Sequence, residues 1–246
     1  MNKRSQGFGL IELMVAVVLG LIVVLGVTQI FLAAKNTYLS QNASAAMQED
    51  ARYALSKMLQ EIRMVGMFGC VSPSSSSFID SSVAPTFTSV SSNPISYTTS
   101  AANGVATATL TLLTADVGST GTLPAYTIVS DCLTTATVTT GLGIPLPGQQ
   151  AFRVRRVVYT FTNNQLTTLV NNAPQVLLNN VAAFAVSFGM ATAASPYLVS
   201  TYNATPSAAD YGYIRSVRIS LTLTDPNNRA RNQTFNVVAA LRNKLK

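Results

Sequence analysis

The feature that most constrains this chain is an apolar run of 27 residues, Phe8 to Ala34, in which Glu12 is the one charged side chain. A helix needs about 20 apolar residues to cross a bilayer, so this run is long enough to span one. Lys3 and Arg4 stand just before the run. Positive charge beside a membrane helix favours the cytoplasmic side. We therefore expect residues 8–34 to form a transmembrane helix, with the bulk of the chain outside the cytoplasm.

Two simpler interpretations explain the run less well. The apolar core of a secretory signal peptide has about 7–15 residues and is followed by small residues at the cut. Here the run is much longer, and Leu32-Ala33-Ala34 is a poor cleavage site. A plain uncleaved anchor gives no reason for Glu12, because a carboxylate in a membrane helix costs about 2.5–3.5 kcal/mol near the centre and less near the end. Glu12 is therefore a functional candidate.

The helix is expected to continue outside the membrane over residues 35–69. Apolar residues recur there at steps of three and four, which mark one helical face. They are Met47, Ala51, Leu55, Met58, Ile62 and Val65. Most charged residues lie elsewhere, and Lys57 with Glu61 forms an i,i+4 pair. Gly66 and Gly69 are expected to end the helix. Its apolar face predicts packing against a globular domain.

Residues 70–246 are expected to form that domain, rich in β-strands. Segments with β-branched or alternating apolar residues predict the strands. These segments are Val105–Leu113, Tyr126–Val129, 152–161, 165–170, 184–188, 217–223 and 235–241. The predicted fold class is α+β, a long N-terminal helix packed on a mainly antiparallel β-sheet.

Three details of the domain are also predicted. In 152–161 the apolar positions change phase at Arg155–Arg156, which indicates a β-bulge. Asn163-Asn164 is typical of a two-residue hairpin turn. Residues 72–100 are dense in serine and contain three prolines. This composition predicts a long surface loop, with disorder or an added hairpin as the alternatives.

Cys70 and Cys132 are the two cysteines of the chain. An even number of cysteines in an exported chain favours a disulfide. The bond would close a loop of about sixty residues and stabilise the fold by roughly 4 kcal/mol. Two buried free thiols are the alternative.

The residue types that carry most catalytic and metal chemistry are absent or scattered. The chain has no histidine, which excludes a Ser-His-Asp triad and a histidine-ligated zinc site. Two cysteines cannot form a four-thiolate site. The aspartates lack the spacing of a calcium loop and are interpreted as solvated turn residues. We expect no catalytic activity, no metal and no cofactor.

The charge balance leaves one binding hypothesis open. Sixteen Lys and Arg against nine Asp and Glu give a net charge of +7. Arginines could form a basic stripe for single-stranded DNA, with tyrosines as stacking partners. The residues in question are Arg153, Arg155, Arg156, Arg215, Arg218, Arg229 and Arg231, with Tyr202, Tyr211 and Tyr213. We favour the interpretation that these residues point outward and keep the strand edges soluble. Nucleic acid is therefore not the expected partner.

The N-terminal segment resembles type IV pilins. That family has a short basic leader ending in Gly, then Phe, then Glu at the fifth position after the cut, then a long apolar helix. The matching residues here are Lys3, Arg4, Gly7, Phe8 and Glu12. Many major pilins also carry a proline at the twenty-second position after the cut, where this chain has Gln29.

The resemblance implies a leader of residues 1–7 that prepilin peptidase removes by cutting between Gly7 and Phe8. The same enzyme would methylate the new amine of Phe8. Glu12 would pair with the terminal amine of a neighbouring subunit, so that neither charge is buried alone. The chain would sit in the bacterial inner membrane, its C-terminal domain in the periplasm, and later in an extracellular pilus.

The second half resembles more narrowly the PilW family of minor pilins. Those proteins share a large globular domain, a Cys near the end of the long helix, an Asp-Cys pair and a final strand ending in Leu-Arg-Asn. The corresponding features here are Cys70, Asp131-Cys132 and Leu241-Arg242-Asn243. The resemblance implies a role in priming and assembling the pilus near its tip. Implied partners are major and minor pilins, with a tip adhesin as a further candidate. Pseudopilin J of type II secretion is the alternative relative.

Overall fold

The computed structural model describes residues 9–70, 72, 75–102, 104–116, 123–170 and 173–244. It consists of one long helix followed by two β-sheets, with a short helix and two 3₁₀ turns between or after the strands. The helices are α1 (Leu10–Arg63) and α2 (Phe87–Ser91). The strands are β1 (Phe78–Asp80), β2 (Ile95–Ala102), β3 (Val105–Ala115), β4 (Tyr126–Ser130), β5 (Ala136–Thr140), β6 (Gln150–Thr162), β7 (Gln165–Val170), β8 (Ala173–Leu178), β9 (Val181–Met190), β10 (Thr201–Asn203), β11 (Ile214–Leu223) and β12 (Gln233–Ala240).

The first sheet contains β1 to β8 and the second contains β9 to β12. The order in the first is β1-β5-β4-β6-β3-β2, and the β7–β8 hairpin pairs with the second half of β6. The order in the second is β10-β9-β11-β12. Among the described strand pairs, all are antiparallel except β1 with β5. The predicted α+β class, a long helix on a mainly antiparallel sheet, is confirmed.

The second half of α1 packs on the domain through the predicted apolar face. Its residues at steps of three and four are buried in the main core, which lies between α1 and both sheets. They are Met47, Ala51, Leu55, Met58 and Ile62. The helix ends at Arg63, earlier than the predicted residue 69, because Val65 leaves the helix to form a β-bridge with Thr114. Gly66 follows with a φ of +76°, a left-handed conformation that glycine adopts at little cost.

A second core lies on the opposite face of the first sheet. It is formed by Phe68, Phe87, Leu113, Tyr126, Ile128, Ala136, Val138 and Val154. Phe87 is fully buried and meets Phe68 and Tyr126 edge-on, at ring-centroid distances of 5.0 and 5.4 Å. Edge-to-face contacts of this kind add to the free energy gained from burial alone.

The predicted bulge in β6 is wrong. Strand β6 pairs with β3 from Val154 to Phe161 without a register shift. The apolar positions change phase because β6 serves both cores. Val154 faces the second core, whereas Val157 and Tyr159 face the main core on the other side of the sheet. A continuous strand therefore produces the pattern that resembled an inserted residue.

The prediction of a long loop at 72–100 is also wrong. The segment contains β1, α2 and most of β2, and β2 forms a hairpin with β3, so the alternative of an added hairpin is confirmed for its last part. Its few large apolar residues anchor it, since Phe87 and Ile95 are buried and Phe78 packs on the second core. Pro85 and Pro94 lie in the short connections between these anchors, where the conformational preference of proline fits.

The other predicted strands are present, and the Asn163-Asn164 turn is confirmed. Both asparagines have positive φ, 49° and 59°, as a two-residue hairpin of this type requires. Strands β5, β8 and β10 were not predicted from the sequence, and they are short strands of three to six residues.

Cys70 and Cys132 are joined by a disulfide, with 5.4 Å between their Cα atoms. The bond ties the chain just after α1 to the turn between β4 and β5. Asp131 caps that turn by accepting hydrogen bonds from the backbone N–H groups of residues 133–135 and from the hydroxyl of Thr134. These hydrogen bonds, led by that of Thr134, hold the pKa of Asp131 below its usual value.

Asp80 organises the segment between β1 and α2. Its carboxylate accepts hydrogen bonds from the backbone N–H and hydroxyl groups of both Ser82 and Thr88. Burial alone would raise the pKa of Asp80, but these hydrogen bonds outweigh it and lower the pKa from 3.8 to about 2.

We predict a pH-dependent contribution of Asp80 to stability. Because the folded-state pKa is depressed, the contribution is fully present above about pH 3.8 and is lost as the pH falls through about 2. Asp80→Asn should therefore lower the Tm at pH 7, and the difference from wild type should vanish near pH 2. Thermal melts at both pH values test this, with exposed Asp50→Asn as control. A difference that persists unchanged at pH 2 would contradict the prediction.

We also predict that the double variant Cys70→Ser/Cys132→Ser has a free energy of unfolding lower by about 2–4 kcal/mol, because its unfolded chain is no longer cross-linked. Urea denaturation of wild type and variant measures the difference. Wild type with a reductant should unfold like the double variant, and equal stability of all three samples would count against the prediction.

Candidate assembly surface and its attachment

The first half of α1 projects from the domain. Every residue from Gly9 to Tyr38 is exposed, and the apolar residues among them have no covering partner within the described chain. At about 1.5 Å per residue, this part of the helix is about 43 Å long. Among the described residues, α1 is the one helix long and apolar enough to cross a membrane. Such a surface must be covered by lipid or by other helices.

Glu12 lies in the first turn of α1, and its backbone N–H donates to the carbonyl of Gly9 at 3.0 Å. A carboxylate at this end of a helix is favoured by the helix dipole. The side chain is exposed and surrounded in sequence by apolar residues. In lipid or in a packed helix bundle it therefore requires a positive partner from another molecule. Gly7 and Phe8, the predicted cleavage and methylation site, lie outside the described residues.

The projecting helix is attached to the first sheet by a buried carboxylate, Glu61, which is 3% exposed. Arg155 of β6 donates from Nη2 to Glu61 Oε1 at 3.3 Å, and the Tyr159 hydroxyl donates to Oε2. Lys57 approaches Oε1 at 3.8 Å from the preceding turn of the helix. Burial, and then the negative charge of Glu61, raise the pKa of Tyr159. The buried charge thus has partners on both the helix and the sheet.

Arg155 also lies 3.9 Å from Asp116 through its other terminal nitrogen, so it stands between two carboxylates. Sequence reasoning recognised the Lys57–Glu61 pair but assigned Arg155 to an outward basic stripe. One signal was available, because Glu61 lies three residues after Met58 and next to Ile62 on the buried face of the helix.

The remaining features of the narrower resemblance meet near the end of α1. Asn243 donates from Nδ2 to the carbonyl of Val65 at 2.9 Å, and Leu241 is buried in the main core. Cys70 follows a few residues later and leads to Cys132. The end of the chain and the disulfide therefore both support the point at which the helix enters the domain.

Several arginines of the proposed stripe are engaged within the chain. Arg215 donates to the carbonyls of Pro196 and Gly212, and Arg218 lies 3.7 Å from the ring centroid of Tyr202. These residues belong to β11 in the second sheet, whereas Arg155 belongs to β6 in the first. Arg153 and Arg156 are exposed.

No group of three or more metal-ligating residues is found in the described ranges. Asp225 and Asp210 cap their own turns. Asp225 accepts hydrogen bonds from the backbone N–H groups of Asn227 and Arg229, and Asp210 accepts from Ser207. This agrees with the interpretation of these acids as turn residues.

We predict that Glu61→Ala lowers the free energy of unfolding by about 3 kcal/mol, because it removes a buried charge partner of Arg155. Glu49→Ala, on the exposed face of the same helix, should change stability by less than about 0.5 kcal/mol. Urea denaturation of the full chain in detergent micelles compares the two. Equal, small effects would show that the cluster does not hold the helix on the sheet.

Comparison with known proteins gives a family match at the N-terminus. The family model described as the prokaryotic N-terminal methylation motif matches residues 2–28. No curated protein and no solved structure matches the chain. The motif implies processing by prepilin peptidase and assembly with other pilins. Together with a helix that can span the inner membrane, it supports a type IV pilin-like protein, either a pilin or a pseudopilin.

Proposed function

We propose that the chain is a minor type IV pilin, similar to the PilW family, that helps to prime and assemble a pilus near its tip. Its role is structural and non-catalytic. The observation that carries the proposal is the construction of α1, whose first half is apolar and uncovered while its second half is buried in a large β-domain. One end of a single helix is thus left free for other subunits.

Before assembly, residues 8–34 lie in the inner membrane and the C-terminal domain lies in the periplasm. During assembly this segment moves from lipid into a bundle of equivalent helices, exchanging one apolar environment for another. The pairing of Glu12 then makes the correct axial position of the subunit lower in free energy than the incorrect ones. In the correct one it meets the methylated amine of Phe8 in a neighbouring subunit, and in any other it is left unpaired in an apolar core.

The position near the tip is supported by the domain and by the three narrower features, Cys70, Asp131-Cys132 and Asn243. A domain of this size, residues 70–246, is bulky relative to the helix that carries it. A subunit at the end of a filament has fewer neighbours on that side than one in the shaft, so it has more room for a large domain. Partners would be major and minor pilins, with a tip adhesin beyond them, and pilus functions such as twitching motility and adhesion would depend on the chain indirectly.

A minor pseudopilin of type II secretion is the alternative within the same assembly class. It would use the same helix, cleavage site and carboxylate. The two differ in what stops when the chain is deleted, either surface piliation or protein secretion, and both can be measured on one deletion strain.

We predict that Glu12→Ala is cleaved and methylated but fails to enter filaments. The variant retains Gly7 and Phe8, so mass spectrometry of the membrane fraction should find Phe8 as a methylated N-terminus. Immunoblots of sheared pili should show a loss of the variant of at least about tenfold, as expected if an unpaired charge costs more than 1.4 kcal/mol. Glu49→Ala is the control for expression.

Two results would contradict this account. Normal incorporation of Glu12→Ala would remove the role of the carboxylate in assembly. A wild-type N-terminus near Lys35 would identify a secreted domain released from a signal peptide, and the pilin proposal would fail as a whole.

A further inference from the structure

Strand β2 forms one edge of the first sheet. Among the described residues it pairs with β3 alone, over eight consecutive residue pairs without a register shift. Exposed edge strands are usually protected by charges, prolines or bulges. Here residues 81–115 contain no charged side chain, and β2 itself contains no proline. The edge is thus long, regular and unprotected.

The register determines which backbone groups point away from the sheet. Leu113 N–H donates to the carbonyl of Pro94 at 2.7 Å, so these two residues form a hydrogen-bonded pair. Because such pairs alternate along an antiparallel ladder, the even-numbered residues of β2 bond to β3. The N–H and C=O groups of Tyr97, Thr99 and Ala101 therefore point outward. In the described chain, no backbone hydrogen bond to these outward groups is present.

A groove of about 480 Å³ lies beside this edge, where the β2–β3 hairpin faces the first half of β9. Its walls are the rings of Tyr97, Phe161 and Phe184 together with small residues. The ring of Tyr97 stands edge-on to that of Phe184, and its hydroxyl donates to the Phe184 carbonyl at 3.3 Å. Thr99 and Ala101, on the groove side of the strand, are exposed and too small to fill it.

We propose that this edge binds an extended, uncharged segment of another protein, which adds a strand to the first sheet and places one large apolar side chain in the groove. An extended backbone matches the two-residue repeat of the outward N–H and C=O groups, whereas a helix satisfies its own. A charged segment would lose hydration against an edge that offers no counter-charge. The site uses neither Glu12 nor the projecting half of α1, so it goes beyond the filament contacts proposed above.

A second copy of the chain fits this edge less well than a different protein does. If two β2 strands paired, the large side chain available for the groove would be Tyr97. In each copy that ring is already held against Phe184. The other groove-side residues, Thr99 and Ala101, would leave the groove open.

The test uses the full chain in detergent micelles and a fluorescein-labelled nonapeptide, Lys-Thr-Val-Thr-Phe-Thr-Val-Thr-Lys, with capped ends. Its Phe and Val side chains lie on one face in the extended form, and the terminal lysines keep it soluble. Thr99→Pro removes one outward N–H without removing a hydrogen bond to β3. We expect fluorescence anisotropy to show binding to wild type and an affinity lower by about tenfold or more for Thr99→Pro.

The matched control is Thr99→Val, which keeps both the N–H and the β-branched shape and should bind within about twofold of wild type. Replacing the Phe of the peptide with Ala should weaken binding by about tenfold, because the groove is left unfilled. Thermal melts verify that the variants are folded. If Thr99→Pro is not, Thr99→Lys supplies the same test by placing a charge at the groove.

Three results would overturn the proposal. The first is that wild type shows no binding at about 1 mM peptide. The second is that Thr99→Pro and wild type bind the peptide equally well. The third is that wild type self-associates and Thr99→Pro abolishes this self-association. The last would make a second copy the occupant of the edge.

Discussion

The contact between Glu61 and β6 orients the long helix on the first sheet. A carboxylate buried to 3% exposure is tolerated only with close partners, and its partners outside α1, Arg155 and Tyr159, both belong to β6. The apolar face of a helix can shift by one residue on a sheet at a modest cost in free energy. The same shift would separate a buried charge from its partner, which costs much more. The cluster therefore selects one rotation and one axial position of α1 on the sheet. The direction in which residues 10–38 project depends on that choice.

Strand β6 explains how the two sheets and two cores form one domain. It pairs with β3 along one side, and with β4 and then β7 along the other. Its first half contributes Val154 to the second core and its second half contributes Val157 and Tyr159 to the main core. The segment that begins with Phe78 covers the second core, and α1 covers the main one. Its neighbour β3 also serves both cores, with Leu110 and Leu112 in the main core and Leu113 in the second.

The sequence predicted those parts of the fold that follow from periodicity. The helix, its apolar face and the strands around Val217–Leu223 have repeats of 3.6 or 2 residues, and the structure has all of them. Predictions failed where one segment serves two environments. The phase change in β6 reflects its contact with two cores and not a bulge. In residues 72–100, a few buried aromatic residues produce regular structure although serines are far more numerous. The burial of Glu61 was also not predicted. Glutamate is usually a surface residue, and Glu61 is buried here because Arg155, 94 positions later in the sequence, lies opposite it.

The continuous strand β6 also has a mechanical consequence. Tension applied to α1 along a filament reaches the domain by two routes, through Glu61 to the middle of β6 and through the apolar face of the helix mainly to β11 and β12 of the second sheet. From β6 the load spreads into β3, β4 and β7 across several rows of hydrogen bonds at once. The disulfide joins Cys70, a few residues after the end of the helix, directly to Cys132 in the turn between β4 and β5. The load therefore enters both sheets, and β2, at the edge of the first sheet, lies outside both routes.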